Sequence, residues 1–478
     1  MNADELAFLP LSEQAGRIGR GELSPVELTE CYLERIARCD DSLKAFITVL
    51  ADDALAAASE AEAEILAGGR RSPLHGIPFA VKDQILIEGV RVTGGSRILA
   101  DHVADRDATV VARLKEAGAV LLGTLNTHEF HMGPTRDFPF GTPRNPWNLE
   151  RTPGGSSSGS AAAVAAGLCS FSLGGDTSGS IRGPAAYCGV VGLKATWSRV
   201  SRDGVFPLAW SFDCVGPLAR SALDAALVLQ ALAGRDPMDP TSSGESVPDY
   251  AAALTDDLDG VRVGVVEEMM TEPYTGTEAR DAVEAALEVL RSLGATVRPV
   301  RLPLMDDSKY AISPLVLLEA SGHHRPKLLE SYHEYDYNTR IRLMVGAALP
   351  SGVAAQAERA RVAVTRQVLE ALEEVDVLVG AAASGGAPAL ARGEPITSKE
   401  EATFVLFGTG AVAGHHSRVF SLAGVPALSV PCGFDADGLP LGLHVAGRYF
   451  DETAVLRVAH AYGKANTWSR NRPPLAVR

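Results

Sequence analysis

With 478 residues, 46% of them hydrophobic and 22% charged, the chain is long enough to bury a large core and has the composition of a soluble globular protein. Its formal net charge of −15 argues against a binder of nucleic acid or anionic membrane, since both need basic surface. The six cysteines form no CxxC pair, the N-terminus MNADELAFLP has no apolar leader, and no apolar run is long enough to span a bilayer, so buried thiols in a cytoplasmic chain are expected.

Residues 12–69 read as helical, forming an outer layer over 1–70. Ser24-Pro25-Val26-Glu27 is a capping box with proline at the first helical position, and Leu28, Tyr32 and Ile36 then share one face. A second helix runs from about Asp52 to Leu66 and ends at Gly68-Gly69. From Ile77 to Val81 an apolar run predicts a buried strand ending in Lys82-Asp83. A helix from Asp107 to Ala117 and a strand at Val120–Leu122 follow. This alternation predicts an α/β architecture with a largely parallel sheet covered on both faces.

The stretch 151–196 contains two Ser/Gly-rich loops, Gly154–Ser160 and Gly174–Ser180, separated by a small-residue helix at 161–167 and a strand at 171–173. Residues 197–217 are less regular. The pattern then predicts a helix at 222–233, a strand at 261–266, a helix at 277–293 and a strand at 295–300. Residues 301–400 are polar and mainly helical, with Tyr332, Tyr335 and Tyr337, and are read as the variable, substrate-side part. Core character returns over 401–478, in apolar runs at 426–431 and 441–445 and a helix at 452–464. With no internal repeat or low-complexity linker, a single domain spanning 1–478 is expected, its catalytic core within 71–230.

Lys82 has two readings. A lysine ending an apolar strand commonly snorkels to the surface. A buried one has its pKa lowered by desolvation and can serve as a general base, with Asp83 facing the other side of the strand. Ser156, Ser157 and Ser158 lie between Gly155 and Gly159, formally the G-x-S-x-G elbow of α/β-hydrolases, which would make Ser157 the nucleophile. The strand that motif requires is missing from the polar segment before it, and the ending of a phosphate-binding P-loop is absent too. The plain alternative is a turn capping the next helix. Asp176-Thr177-Ser178-Gly179-Ser180 follows a strand directly. Its backbone N–H groups can converge on one point, with Asp176 and Arg182 bracing the loop. The pairs His128/His131, His323/His324 and His415/His416 lack a zinc spacing, so no metal is expected.

Together these pieces resemble the amidase signature family. The signature is GGSSSGSAAAVAAG…GGDTSGSIRGPAAYCGVVGLKAT over 154–196, preceded by HGIPFAVKD (75–83), GTLNTHEF (123–130) and GTPRNPWN (141–148). It is followed by PLAWSFDCVGPLARSALDAALVL (207–229) and GVPALSVPCGF…GLPLGLHVAGR (424–448). The resemblance implies the amidase-signature fold, with a mixed, largely parallel twisted sheet. It also implies a Ser–cis-Ser–Lys triad: Ser180 as nucleophile, Ser156 as bridging serine after a cis peptide bond, and Lys82 as base. Thr177, Ser178, Gly179 and Ser180 match the oxyanion loop, with Ser157, Asp176, Arg182 and His131 around it or on the substrate side. The implied activity is metal-independent hydrolysis of a carboxamide, anilide, ester or carbamate through an acyl-enzyme, without cofactor. The expected partner is a small amide-like substrate, with no nucleic acid and no membrane, in a chain compatible with a homodimer.

The alternative within the family is a component resembling the A subunit of a glutamine-dependent tRNA amidotransferase. Several positions depart from the family pattern. Ser178 and Gln84 stand where glycine and asparagine are usual, Ala381-Ala382 replaces Pro-Thr, and Ser421 replaces an asparagine. The aspartate that helps hold glutamine in the tRNA-dependent enzymes is matched here by Gly414, which argues for a self-standing hydrolase.

Overall fold

The computed structural model describes residues 3–390, 398 and 414–477. The expected C-terminal segment is therefore seen from Gly414 onward, and the earlier part of the 408–421 region lies outside the described residues.

The N-terminal layer holds α1 (Ala3–Ala7), α2 (Leu11–Gly19), α3 (Pro25–Leu43) and α4 (Ala51–Leu66). Ser24 caps α3 as its sequence predicts: its Oγ accepts the N–H groups of Val26 (3.0 Å) and Glu27 (3.2 Å). The wholly helical reading of 12–69 misses a strand, β1 (Phe46–Val49), between α3 and α4. Four residues are too few to show a period, and an edge strand this short is specified by its partner instead.

The chain continues through β2 (Pro78–Lys82), α5 (Thr109–Glu116), β3 (Val120–Leu125), α6 (Ser158–Ala165), β4 (Phe171–Asp176), α7 (Arg182–Cys188), β5 (Val191–Lys194), β6 (Cys214–Ala219) and α8 (Ala222–Leu232). Next come β7 (Arg262–Val266), α9 (Thr277–Ser292), β8 (Thr296–Val300), α10 (Ser308–Ser331), α11 (Tyr337–Ala348), α12 (Ser351–Glu374) and β9 (Val377–Ala381). The described chain ends with α13 (His415–Ala423), β10 (Ala427–Phe434), β11 (Pro440–Gly447) and α14 (Glu452–Ala465). The sequence pattern does not single out β5 or β6. Both are buried along their whole length, so neither shows the polar–apolar alternation of a half-exposed strand.

The strands form one mixed sheet in the order β1-β3-β2-β4-β6-β5-β10-β11-β9-β7-β8. Pairing is parallel within β3-β2-β4 and within β9-β7-β8. It is antiparallel from β4 through β6, β5, β10 and β11 to β9, and between β1 and β3. Helix α6 is buried on every side, which its composition of Ser, Gly, Ala and Val allows. A Cβ on its Gly159 would stand 2.3 Å from the Ala45 carbonyl and 2.5 Å from the Asn126 nitrogen, so only glycine fits this contact.

The site follows from one pairing. β2 and β4 run parallel in the register Phe79↔Phe171 and Val81↔Leu173, with the two phenylalanine rings stacked at 5.3 Å. Their carboxyl ends, carrying Lys82 and Asp176, therefore emerge side by side at one edge of the sheet, where open α/β folds place their ligand crevices.

Candidate active site

Lys82 is fully buried, which excludes the snorkelling reading. Its Nζ donates to the Ser156 Oγ at 2.7 Å. Burial pushes the ammonium down to about 7, against the pull of the Asp213 and Asp176 carboxylates, so a large neutral fraction is present at neutral pH. The Gly155–Ser156 peptide is cis, as the resemblance implies. The Ser156 carbonyl accepts from the Thr127 hydroxyl (2.9 Å) and the His128 N–H (3.3 Å), which ties the first serine loop to the segment after β3.

The second loop lies directly beyond β4. Its Ser178, Gly179 and Ser180 are partly exposed, whereas Lys82 and Ser156 lie behind them in the protein. Ser157 joins the two loops: its N–H donates to the Ser180 carbonyl at 3.2 Å, and its hydroxyl donates to the Gly175 carbonyl at 3.1 Å while accepting from the Gly175 N–H at 3.2 Å. A hydroxyl so engaged, fully buried at the start of α6 and not after a strand, does not suit the elbow reading.

Asp176 organises the loop as the sequence suggests. It accepts the N–H groups of Gly179 (2.7 Å) and Ile181 (3.1 Å) and pairs with the Arg182 guanidinium at 3.0 Å through both oxygens. Burial by itself would raise this carboxyl, but the Arg182 charge and its hydrogen bonds outweigh burial and hold Asp176 well below the usual carboxylate range. Gly179 spends its N–H on Asp176, so of the four expected oxyanion donors this one is already engaged. Arg182 reaches on to the Ser417 carbonyl (3.2 Å) and the Ser421 hydroxyl (2.7 Å), so the serine that replaces the family's asparagine still serves as an acceptor. Ser417 in turn donates to the Ser178 carbonyl at 2.7 Å, clamping the loop from α13.

His131 lines a small recess beside the loop, together with Gln84, Thr177, Trp210 and Asp213. Its Nε2 is buried without a hydrogen-bond partner among the described residues, and burial, then the Lys82 charge, keeps the ring neutral. Two neighbours escape the sequence pattern. Asp213, inside the 207–229 block, accepts the Thr177 hydroxyl at 2.6 Å, and burial pushes its carboxyl up to about 6. The His128 ring packs on Gly155, where a Cβ would come within 2.2 Å of its Nε2, and burial with the Lys82 and Arg342 charges pushes it down to about 3. Asp213 and His128 both lie within quoted blocks, 207–229 and 123–130, so the position of each gave a signal. His128 looked like one member of a histidine pair.

The other histidine pairs serve packing. His415 stacks on Tyr274 at 3.6 Å, His416 bonds the Thr275 hydroxyl at 2.8 Å, and His324 bonds the Tyr335 hydroxyl at 3.1 Å. Among the described residues no group of three or more His, Cys, Asp or Glu side chains could hold a metal ion, and no helix is long and apolar enough to cross a membrane. All six cysteines are buried free thiols.

Comparison with known proteins bears on the family and its partners. The Amidase family model matches residues 27–456. The chain is 42% identical to the A subunit of the glutamyl-tRNA(Gln) amidotransferase of Roseiflexus sp. (strain RS-1), over 98% of this chain and 99% of that protein. Among solved structures it is similar to the native peptide amidase of Stenotrophomonas maltophilia, at 34% identity and a TM-score of 0.83, with 97% and 98% of the two chains covered. It is also similar to a structure described as a vestigial protein complex that reveals the evolutionary origins of an s-triazine catabolic enzyme, at 32% identity and TM-score 0.88, covering 96% and 99%.

These relatives overturn the expectation of a small amide as sole partner without nucleic acid. The Roseiflexus protein is by name one subunit of an enzyme acting on a tRNA, and seven further relatives at 40–41% identity share that name. The inference from a net charge of −15 fails for a physical reason: a sum over the chain does not report local surface, and in an assembly a neighbouring protein can supply the basic face. With a family model spanning most of its length and relatives that align from end to end, the chain belongs to the amidase family.

Proposed function

We propose that the chain splits a carboxamide C–N bond as the amide-cleaving component of a tRNA amidotransferase-like assembly, in the place its relatives' A subunit holds. The observation that carries the chemistry is the 2.7 Å bond from Lys82 to Ser156 at a lysine poised near neutrality. Ser180 attacks the carbonyl carbon, its proton passing to Ser156 as Ser156 passes its own to neutral Lys82. The oxyanion is held by the N–H groups of Thr177, Ser178 and Ser180, in a loop kept rigid by Asp176 and Arg182. Collapse expels the amine, protonated through Ser156, and leaves an acyl ester on Ser180. Water then attacks the ester by the same relay and restores the serine. The identity to proteins named as one component of a tRNA amidotransferase supports the assembly part of the reading.

The test is ammonia release from primary amides by the chain isolated from its own cells with whatever proteins accompany it, and by the chain alone. Ser180→Ala abolishing turnover supports the chemistry, and turnover unchanged in that variant refutes it. Stable co-purification with further subunits, and amidation of charged tRNA by that complex, supports the assembly. A second reading, hydrolysis of another amide, is favoured by one observation: Gly414 stands where the family's glutamine-holding aspartate is expected, and the Arg418 side chain lies against it.

A further inference from the structure

Two buried polar atoms beside the second loop have no hydrogen-bond partner among the described residues: Gln84 Oε1 and His131 Nε2. Their residues are 2% and 7% exposed, and both line the small recess that Thr177 and Asp213 border. The backbone fixes Gln84 in place. Its N–H donates to the Lys82 carbonyl at 2.7 Å, and its own carbonyl accepts the Phe206 N–H at 3.0 Å. Its side-chain Nε2 packs against Gly175, where a Cβ would stand 2.3 Å from it. The amide end of Gln84 therefore lies against the residue that leads into Asp176 and the second loop. His131 comes from the segment after β3, with its N–H on the His128 carbonyl at 2.9 Å. Its φ is 63° and that of Phe130 is 44°, a region that residues with a Cβ rarely occupy. Strained positions of this kind gather where a site needs a side chain held in one place.

The charged groups of the same lining are already engaged. Asp213 accepts the Thr177 hydroxyl and the N–H groups of Leu208 (2.8 Å) and Ala209 (3.0 Å). Arg202 donates to the Trp210 and Asp213 carbonyls and pairs with Asp239. A buried polar atom left unpaired is costly, so Gln84 Oε1 and His131 Nε2 mark a place that a ligand completes. Gln84 Oε1 carries no hydrogen and needs a donor. The neutral imidazole nitrogen takes an N–H in one tautomer and donates to a lone pair in the other. A carboxamide whose oxygen lies on the second loop offers both kinds of group on its nitrogen. The recess has room for about one water-sized group, so an –NH2 fits it and an alkylated or arylated nitrogen does not. An ester oxygen at that position brings no hydrogen and opposes its lone pairs to those of Gln84.

We propose that Gln84 and His131 hold the leaving nitrogen of the substrate, and that the site thereby selects primary carboxamides over N-substituted amides and esters of the same acyl group. This rests on the reading of Ser180, Ser156 and Lys82 given above. As the C–N bond breaks, its electron pair passes to nitrogen, which takes the Ser156 proton and leaves as ammonia. Gln84 keeps one of the original N–H groups in register until then. The length of Gln84 sets the selection. Asparagine, usual at this position in the family, is one methylene shorter and draws the acceptor back from the recess.

The test uses the full chain and substrates that share an acyl group: butyramide, N-methylbutyramide and methyl butyrate, and the corresponding benzoyl compounds. Wild type should turn over the primary amide with a kcat/KM about tenfold or more above that of the N-methyl amide. Gln84→Met keeps the length and removes the acceptor. It should lower the amide-to-ester ratio of kcat/KM by about tenfold, the size of one buried hydrogen bond. A variant that merely disturbed the loop would lower both rates alike and leave the ratio in place. His131→Phe should move the ratio in the same direction. Gln84→Asn, which restores the family's usual residue, should narrow the preference for the primary over the N-methyl amide, and it decides by itself if the other variants do not fold. With Ser180→Ala inactive, a ratio unmoved in the folded Gln84 variants, or no preference for the primary amide in wild type, overturns the proposal and leaves the triad standing. Turnover that survives Ser180→Ala, or no turnover of any of these substrates, overturns the triad reading and the proposal with it.

Discussion

The backbone amide of Ser157 donates to the carbonyl of Ser180 across 3.2 Å, so the residue after the bridging serine holds the residue expected to attack. The Ser157 hydroxyl adds a two-way link to Gly175. Ser157→Ala should therefore damage position more than chemistry. It orphans a buried N–H and a buried carbonyl, at a cost of about 1–3 kcal/mol in stability. We expect a lower Tm and a reduced kcat that still exceeds that of Ser180→Ala. An unchanged Tm with turnover lost as completely as in Ser180→Ala would return Ser157 to the role of nucleophile.

In the proposed mechanism Lys82 sets the pH dependence. It acts as a base only when neutral, and burial brings it to about 7, so kcat should rise with pH through that value and level off above it. Replacing it with methionine should lower kcat by about 10²–10⁴-fold, the range for loss of a general base. A rate profile flat from pH 5 to 9 would exclude Lys82 from this role.

Much of this site is legible in the sequence, because the chemistry depends on residue types at strand ends and in glycine-rich turns. Lys82 closes an apolar run, and Asp176 and Ser180 sit in a turn just after another, so the motifs place them at neighbouring strand ends. The signal fails where an element carries no period. Phe46–Val49 is too short, α6 is small-residue throughout, and Val191–Lys194 and Cys214–Ala219 are buried on both faces. It fails also where a contact is made only in three dimensions. His128 acquires its place by packing on Gly155.

Asp213 offers a separate control on the lysine. Its carboxylate is the first charge that opposes the lowering of Lys82, and it also accepts the Thr177 hydroxyl. Asp213→Asn keeps an acceptor for Thr177 but removes the negative charge. The Lys82 pKa should then fall further, and the rising limb of the kcat profile should move to lower pH. A limb that stays in place would mean that Asp213 only braces the loop.

Asp176 and Arg182 should dominate the stability of the second loop. Neither side chain is exposed, and removing one leaves the other as a buried charge without its partner. Arg182→Met or Asp176→Asn should thus cost about 3–5 kcal/mol at neutral pH, read by denaturant unfolding. The sign of the pH dependence follows from the direction of the shift. The folded carboxyl lies below its ordinary value of 3.8, so the unfolded chain takes up the proton first as pH falls. The contribution of Asp176 is therefore fully present above that ordinary value and is lost as pH drops toward the folded one. The stability deficit of Asp176→Asn relative to wild type should hold constant from pH 7 to about 5 and shrink below about pH 4. A deficit that instead grows on acidification would mean that the carboxyl is already protonated in the folded protein, and that the Arg182 pair does not hold the loop as an ion pair.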